Sequence, residues 1–523
     1  MSTSAPSSPA GSPATSVAAR GSAPSRGGDQ IATLAAFGYK QELRRTLRFF
    51  SLFSVAFSIV SISTGIFLNF GFAINEFGGA SIWTWPLAAL GQIVMALIIA
   101  ELSTKIPLAG YAYQWGSRLV GSVYGWYTGF FGLLYMSITG GAIVLLGATP
   151  LLLNALGQNN PSRHLVLALA VVILVATIVV NVVGVQIAAR VNNTAVIAEI
   201  VGTVLFAVVL IVVWGASSKS GGGVHNLSDT MGTAGGSTWY RFALAGLLGI
   251  YTMVGFELSA DLTEEAVDSQ RAVPRAILTG IIGSAVLGML ALICFTIVMP
   301  DLKTVQGAAL PLVTIGDYWL PHALVRVLIA VVAFSMIALV VANQAAQARL
   351  LYSMGRDNML PFSGAFRAVN SRTRTPILAL LIGGAISIAF MIYGYLQSNS
   401  FATLIGSTSI APYIVYLLIV GSYVRRRSEL DSVRGGFSLG RLGPVLMAVG
   451  LAWVVVALLI LTLPAPFHGA DKVVAGAAVV AVVWHVLVLR NRIRKGTAGV
   501  VPFNVTVPKL ELEPRLASSS SSS

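Results

Sequence analysis

Apolar residues run along this chain in long blocks, without the polar face that a helix at the surface of a soluble protein would show. From residue 49 onward twelve such blocks recur, at roughly 49–73, 80–104, 123–153, 164–184, 191–215, 240–262, 275–300, 322–350, 376–395, 400–422, 442–463 and 472–491. About 20 residues take a helix across a bilayer, and backbone groups in hydrocarbon must bond within their own segment. Each block therefore predicts a membrane-spanning helix. Two of the blocks are interrupted. The first contains FSIVSISTGIFLNFGF (57–72), with Ser61, Ser63, Thr64 and Gly65 in an apolar run. The sixth reaches a weak point at Val254-Gly255-Phe256, followed at once by Glu257 and then by acids and bases from Asp261 to Arg275. Irregular backbone at membrane depth is tolerated only where it lines a cavity or is buried in protein. Two interrupted segments at corresponding places in two halves of a chain point to the substrate site of a secondary transporter.

The order of the blocks suggests the two halves. Segments one to five (49–215) and six to ten (240–422) form two sets of five, and an odd number of crossings inverts the second set. The expected fold class is all-α integral membrane: twelve transmembrane helices, an inverted repeat of five plus five, and broken helices at the start of each half. Segments eleven and twelve (442–491) stand outside the repeat. Residues 1–30 are mostly Ser, Pro, Ala and Gly, which reads as a disordered tail and lacks the apolar core of a signal peptide. Residues 31–48 are basic and mildly amphipathic, and 496–523 read as a polar tail ending in serines. The stretch 107–126 is too polar to span and is expected as a short interfacial helix bearing Tyr111, Tyr113 and Trp115. The loop 216–238 is rich in Gly and Ser and reads as flexible.

Composition agrees with a membrane protein. Of 523 residues, 56% are hydrophobic and 10% charged, with mean hydropathy +0.82, where a soluble domain carries about 25% charged residues. The net charge of +14 invites a nucleic-acid reading that the placement of the bases removes. With the N-terminus inside, cytoplasmic segments hold 27 of the 33 Lys and Arg residues and outer loops hold five. That asymmetry predicts cytoplasmic termini in a multi-pass plasma-membrane protein, as a monomer or homodimer. A lone cysteine, Cys294, and five scattered histidines offer no metal site. No P-loop is present to drive ATP-powered pumping, no charged rings suggest a channel, and no clustered catalytic groups suggest an enzyme. The expected cofactor is none beyond a coupling ion, a proton or else sodium.

The interruptions define candidate chemistry. A broken helix leaves N–H and C=O groups without intrahelical partners, and a half-helix N-terminus favours an anion. Ser61, Ser63, Thr64, Gly65 and Ile66 on the first segment are candidate substrate residues, with N–H groups near Gly65-Ile66-Phe67 for a carboxylate. Tyr251, Met253, Val254, Gly255 and Phe256 on the sixth are the others, with carbonyls near Met253 and Val254 for an ammonium group. The competing reading is that small residues here only permit close helix packing. Glu199 lies nine residues beyond Arg190, about 13 Å into the bilayer. An intramembrane carboxylate is costly and a functional candidate by default. It can couple protons, pair with a polar residue on the first or eighth segment, or contact a substrate amine. Glu257 can cap freed backbone groups or respond to pH. Glu264, Glu265 and Asp268 are candidates for a latch with Arg271, Arg275 or other bases, or for a solvated charged loop. Glu101 and Lys105 form a favourable i,i+4 pair. Asn343, Gln344, Gln347, Tyr413 and Tyr416 are weaker candidates to face the pathway, and Ser335 leaves sodium conceivable.

Four stretches carry a family resemblance. Ser63-Thr64-Gly65-Ile66, AELSTKIPLAGYAYQWGSRLVG (100–121), RVNNTAVIAEIVG (190–202) and GFELSADLTEEAVDSQRAVPRAI (255–277) resemble motifs of the amino acid–polyamine–organocation permeases, in particular the amino acid, GABA and choline branch. The resemblance implies the leucine-transporter-like fold, alternating access, and an amino acid or small amine as substrate. It also implies that Tyr251 is the aromatic that covers substrate from outside. Ser63 stands where many members have glycine, Phe256 replaces a common tyrosine, and Glu199 stands where relatives carry lysine or histidine. GABA, choline, a neutral amino acid and a polyamine remain open as substrates, and exchange remains an alternative to symport.

Overall fold

The computed structural model describes residues 34, 37–233, 235–432 and 436–500. The tail at 1–30, most of the tail at 496–523, and residues 31–33, 35 and 36 of the amphipathic segment lie outside the described residues. The chain divides into a short first unit, Met1–Lys40, and a body, Gln41–Ser523. In the first unit the N–H groups of Phe37 and Tyr39 both donate to the Leu34 carbonyl, at 3.1 and 3.0 Å.

Among the described residues of the body, twelve helices are long and apolar enough to cross a membrane. The first six spans are Phe49–Phe77, Gly79–Lys105, Ser122–Ala155, Arg163–Val183, Val185–Ala216 and Thr238–Glu265. The remaining six are Ser269–Ile297, His322–Arg356, Ile377–Leu396, Ser400–Ser428, Gly440–Thr462 and Ala465–Arg494. Each overlaps the apolar block that predicts it. The one β-type pairing among the described residues is an isolated parallel bridge between Leu47 and Ala266.

Burial sorts the spans into a centre and a rim. Most of the first, third, sixth and tenth spans is buried in protein, whereas the apolar stretch of the twelfth is only 17% buried. Rim spans turn Val172, Val175 and Val179 of the fourth, and Val479, Val480 and Val483 of the twelfth, outward. Exposed valines on a spanning helix suit lipid. The seventh span packs along the first and second, the eighth along the fifth, and the tenth along the third. Trp85 of the second span fixes one such contact by donating its indole N–H to the Ala285 carbonyl of the seventh, at 2.9 Å.

The stretch between the second and third spans departs from expectation. It does contain a short helix, Tyr111–Leu119, but Tyr111, Tyr113 and Trp115 are buried in protein at 0–1% exposure and do not face outward. Gly110 and Ala109, just before it, donate their N–H groups to Asp261 and Glu264 of the sixth span, at 2.9 and 3.2 Å. The helix is thus a plug held inside the protein. Its aromatics have the type expected at a membrane surface, but packing against the third and tenth spans decides their place.

The same end of the molecule carries the buried ion pairs. Arg349 of the eighth span meets Glu265 at 2.7 Å, and Arg356 meets Glu264 at 3.0 Å. Of the expected latch acids, Glu265 and Glu264 therefore pair with bases of the eighth span, 84 and 92 residues away, rather than with Arg271 or Arg275, while Asp268 stands just before the seventh span. Glu101 does pair with Lys105, at 2.7 Å, and also receives Arg427 at 2.9 Å, Ser438 at 3.1 Å and the Tyr423 hydroxyl. This end is called the basic face below.

Candidate functional site

The first span is two helices, Phe49–Val60 and Ile62–Phe77, separated by Ser61 at φ +36° and ψ +91°. A non-glycine residue with positive φ is uncommon, and here the side chain compensates as an N-cap. Ser61 Oγ accepts from the Thr64 N–H at 3.3 Å, while the Ser61 N–H still closes the first half by donating to the Phe57 carbonyl at 2.8 Å. The interruption thus lies earlier than the Gly65-Ile66-Phe67 N–H groups proposed for a carboxylate. The Gly65 N–H is already committed to the Ser61 carbonyl, at 3.0 Å. The second half begins at Ile62 and Ser63.

Glu199 holds this interruption from the fifth span. It is 2% exposed. One oxygen, Oε1, accepts from the Ser61 hydroxyl at 2.8 Å, the Ser63 hydroxyl at 2.8 Å and the Ser63 N–H at 3.1 Å. Of the roles open to Glu199, the geometry gives a pairing with polar groups of the first span. Ser335, the residue considered for sodium, donates to its own helix at Val331, 3.0 Å away.

The sixth span breaks after Leu247–Thr252 and resumes as a 3₁₀ helix, Phe256–Glu265. Gly255 adopts φ +105° between them, and a Cβ there would fall 2.3 Å from Ile59 and 2.9 Å from the Tyr135 hydroxyl. Glycine is required on both counts. Glu257 caps the break: its Oε2 accepts from the Gly255 N–H at 3.0 Å and from the Tyr416 hydroxyl at 2.7 Å. Its other oxygen is buried without a partner. The Ile250 carbonyl accepts from the Tyr413 hydroxyl at 3.1 Å. Tyr413 and Tyr416 thus serve the break, while Asn343 and Gln347 donate to Met136 and Ser137 of the third span, at 2.8 and 2.7 Å.

Between the two breaks lies a cavity of about 20 Å³, room for about one water and too small for an amino acid. Four expected residues line it: Thr64, Gly65, Tyr251 and Val254. Ser61 and Ser63 sit behind the wall on Glu199. Ile66 is fully buried away from the cavity, and Met253, Gly255 and Phe256 shape the break without lining it. The rest of the wall was not expected: Ile59 and Val60, Thr252, Tyr135, Thr139 and Ile143 of the third span, Leu339 of the eighth and Thr408 of the tenth. Tyr135, Thr139 and Ile143 recur every four residues, a one-face spacing in the sequence. Gly65 brings the two broken helices together, since a Cβ would lie 2.0 Å from Thr252 Oγ1.

Every side chain lining this cavity is uncharged. Two broken helices thus meet at a hydroxyl-lined space, with the carboxylates of Glu199 and Glu257 outside its wall. The sequence profile of the family described as amino acid permease matches residues 47–486. The chain belongs to the amino acid permease family. The permease is similar to the amino-acid permease BAT1 of Arabidopsis thaliana, 26% identical over 83% of this chain and 88% of that protein. It is also similar to the GABA-specific permease of Saccharomyces cerevisiae, 26% identical over 84% of this chain and 79% of that protein. The branched-chain amino acid permease BcaP of Lactococcus lactis is 27% identical over 74% of this chain and 84% of its own length. The permease is accordingly a multi-pass membrane transporter of amino acids and not an enzyme.

Proposed function

We propose that this permease is a secondary transporter for a neutral, zwitterionic amino acid or a close relative such as GABA, driven by a proton that Glu199 carries. The observation that carries this reading is the uncharged cavity between the two breaks, with Glu199 bonded to the first of them. An uncharged wall favours a ligand whose net charge is zero over choline or a polyamine, which would need a carboxylate in direct contact. The named relatives fit, one being GABA-specific and one taking branched-chain amino acids. Tyr251 lies on the wall one turn before the sixth-span break, a place from which its ring can cover substrate from the outer side.

The mechanism we infer is alternating access in an inverted repeat of five plus five spans, in a plasma membrane with the basic face cytoplasmic. The Glu264–Arg356 and Glu265–Arg349 pairs then close the inner side. Uptake into proteoliposomes tests the reading, using labelled GABA, alanine, leucine, choline and putrescine with and without an inward proton gradient. Gradient-stimulated uptake of one zwitterion is expected. Uptake only into vesicles preloaded with substrate replaces symport with exchange, and uptake of choline or putrescine alone overturns the substrate class.

A further inference from the structure

Resting on the proton-coupled reading above, we propose that Ser61 and Thr64 form a two-hydroxyl relay that carries one proton between the substrate cavity and Glu199. Ser61 Oγ lies 2.8 Å from Glu199 Oε1 and 2.6 Å from Thr64 Oγ1. Thr64 is on the cavity wall, and Ser61 and Glu199 are not. The three oxygens therefore form a continuous chain from the cavity to a carboxylate one layer behind it. Ser63, whose hydroxyl and N–H both donate to the same carboxylate oxygen, holds that end in place. Among the described residues no charged side chain is paired with Glu199.

Each hydroxyl has one proton to give, so the ends of the chain fix its direction. With Glu199 ionised, Ser61 donates to Glu199 and Thr64 donates to Ser61, which turns only Thr64 lone pairs toward the cavity. A proton delivered from the cavity to Thr64 Oγ1 frees the proton that Thr64 held. That proton passes to Ser61, and the Ser61 proton passes to Glu199 Oε1. One proton leaves the cavity, one O–H forms on Glu199, and no bond between heavy atoms changes. The chain now runs the other way: Glu199 donates to Ser61, Ser61 to Thr64, and the Thr64 hydroxyl can donate into the cavity.

That reversal links the ion to the substrate. Thr139, Thr252 and Thr408, the other threonines of the wall, each give their proton to the carbonyl four residues back in their own helix. They offer the cavity acceptors, which suit an ammonium group. Thr64 is held instead by a second hydroxyl, so its proton can change sides when Glu199 does. Protonated Glu199 then presents a donor to a substrate carboxylate. By reciprocity, bound carboxylate favours the protonated state.

The test is the pH dependence of KM in proteoliposomes for the full-length wild type, Thr64→Val, Thr64→Ser and Glu199→Gln. The substrate is whichever of labelled GABA, alanine or leucine the wild type accumulates. In the wild type KM is expected to rise about fivefold or more from mildly acid to mildly alkaline pH, the low end of ordinary coupling. Thr64→Val is expected to flatten that ratio to near one whatever its absolute KM, and Thr64→Ser to restore it. If Thr64→Val moves too little substrate to assay, substrate protection against thermal unfolding at the same two pH values reads the same ratio. A wild-type ratio in Thr64→Val beside a flat Glu199→Gln overturns the relay and leaves the coupling role of Glu199 standing. A wild-type ratio in Glu199→Gln, or no pH dependence in the wild type, overturns both.

Discussion

Arg349 Nε lies 2.7 Å from Glu265 Oε1, with both side chains shut away from solvent. This pair ties the end of the sixth span to the last two turns of the eighth, His322–Arg356, and Arg349 gives a further N–H to the Ala345 carbonyl at 3.1 Å. Removing one partner leaves a buried charge unpaired, at a cost of about 3–5 kcal/mol. Arg349→Met and Glu265→Gln are each expected to lower the unfolding temperature in detergent. The double variant is expected to recover much of the loss, and additive losses would contradict that.

Gly65 and Thr252 set how closely the two broken helices approach. A methyl at Gly65 would overlap the Thr252 side chain at 2.0–2.4 Å, and overpacking of this kind costs about 1–3 kcal/mol. Gly65→Ala is expected to abolish most uptake, and adding Thr252→Gly to restore part of it, since alanine at 252 would keep a Cβ 2.4 Å from the new methyl. Uptake assays on the two variants decide the matter, because a purely local backbone requirement at Gly65 would leave the second change without effect.

Among the described residues, Tyr416 is the one side chain that hydrogen-bonds Glu257. Tyr416→Phe leaves the carboxyl group with backbone N–H donors alone, a loss of about 1–3 kcal/mol for a buried polar group deprived of a partner. The expected result is a lower unfolding temperature together with faster substrate exchange across the basic face. Unchanged stability would show that Glu257 does not depend on this bond.

Asn192 lies on the fifth span seven residues before Glu199, hence on the same face. Both polar atoms of its side chain are buried without a partner, and it lines a second cavity of about 20 Å³ toward the basic face. One bridging water fits there. Asn192→Leu removes the unpaired groups, so stability is expected to hold or rise. Gradient-driven uptake is expected to fall if the water serves Glu199, and measuring both on one preparation separates the two effects.

The spans were legible because a bilayer demands long apolar runs, and nothing in tertiary packing can hide them. The breaks were legible less precisely. Gly65 signals flexibility in a sequence, but the structure uses it for proximity to Thr252, while the left-handed turn falls on Ser61. Glu199 could be singled out because a carboxylate in hydrocarbon needs a reason, yet its partners, Ser61 and Ser63, lie some 136–138 residues away in sequence. Thr139 and Thr408 were not legible at all. A threonine bonded to its own helix is ordinary in a membrane span, and only the meeting of five spans makes these two part of a wall. Tyr111, Tyr113 and Trp115 misled for a related reason, since the same amphipathic rings serve a membrane surface and a packed interior.

The short bridge near Leu47 has a mechanical consequence. Thr46 and Leu47 donate their N–H groups to the Glu265 carbonyl, both at 3.0 Å, and the Val267 N–H returns to the Leu47 carbonyl at 2.8 Å. Main-chain bonds thereby yoke the start of the first interrupted span to the end of the sixth, so displacing one half-helix pulls on the other. Such a yoke is silent to alanine scanning, because every residue but proline supplies the same amide. It shows itself only when an amide is taken away: Leu47→Pro removes one of the three bonds and would loosen two levers that side-chain substitution leaves harnessed.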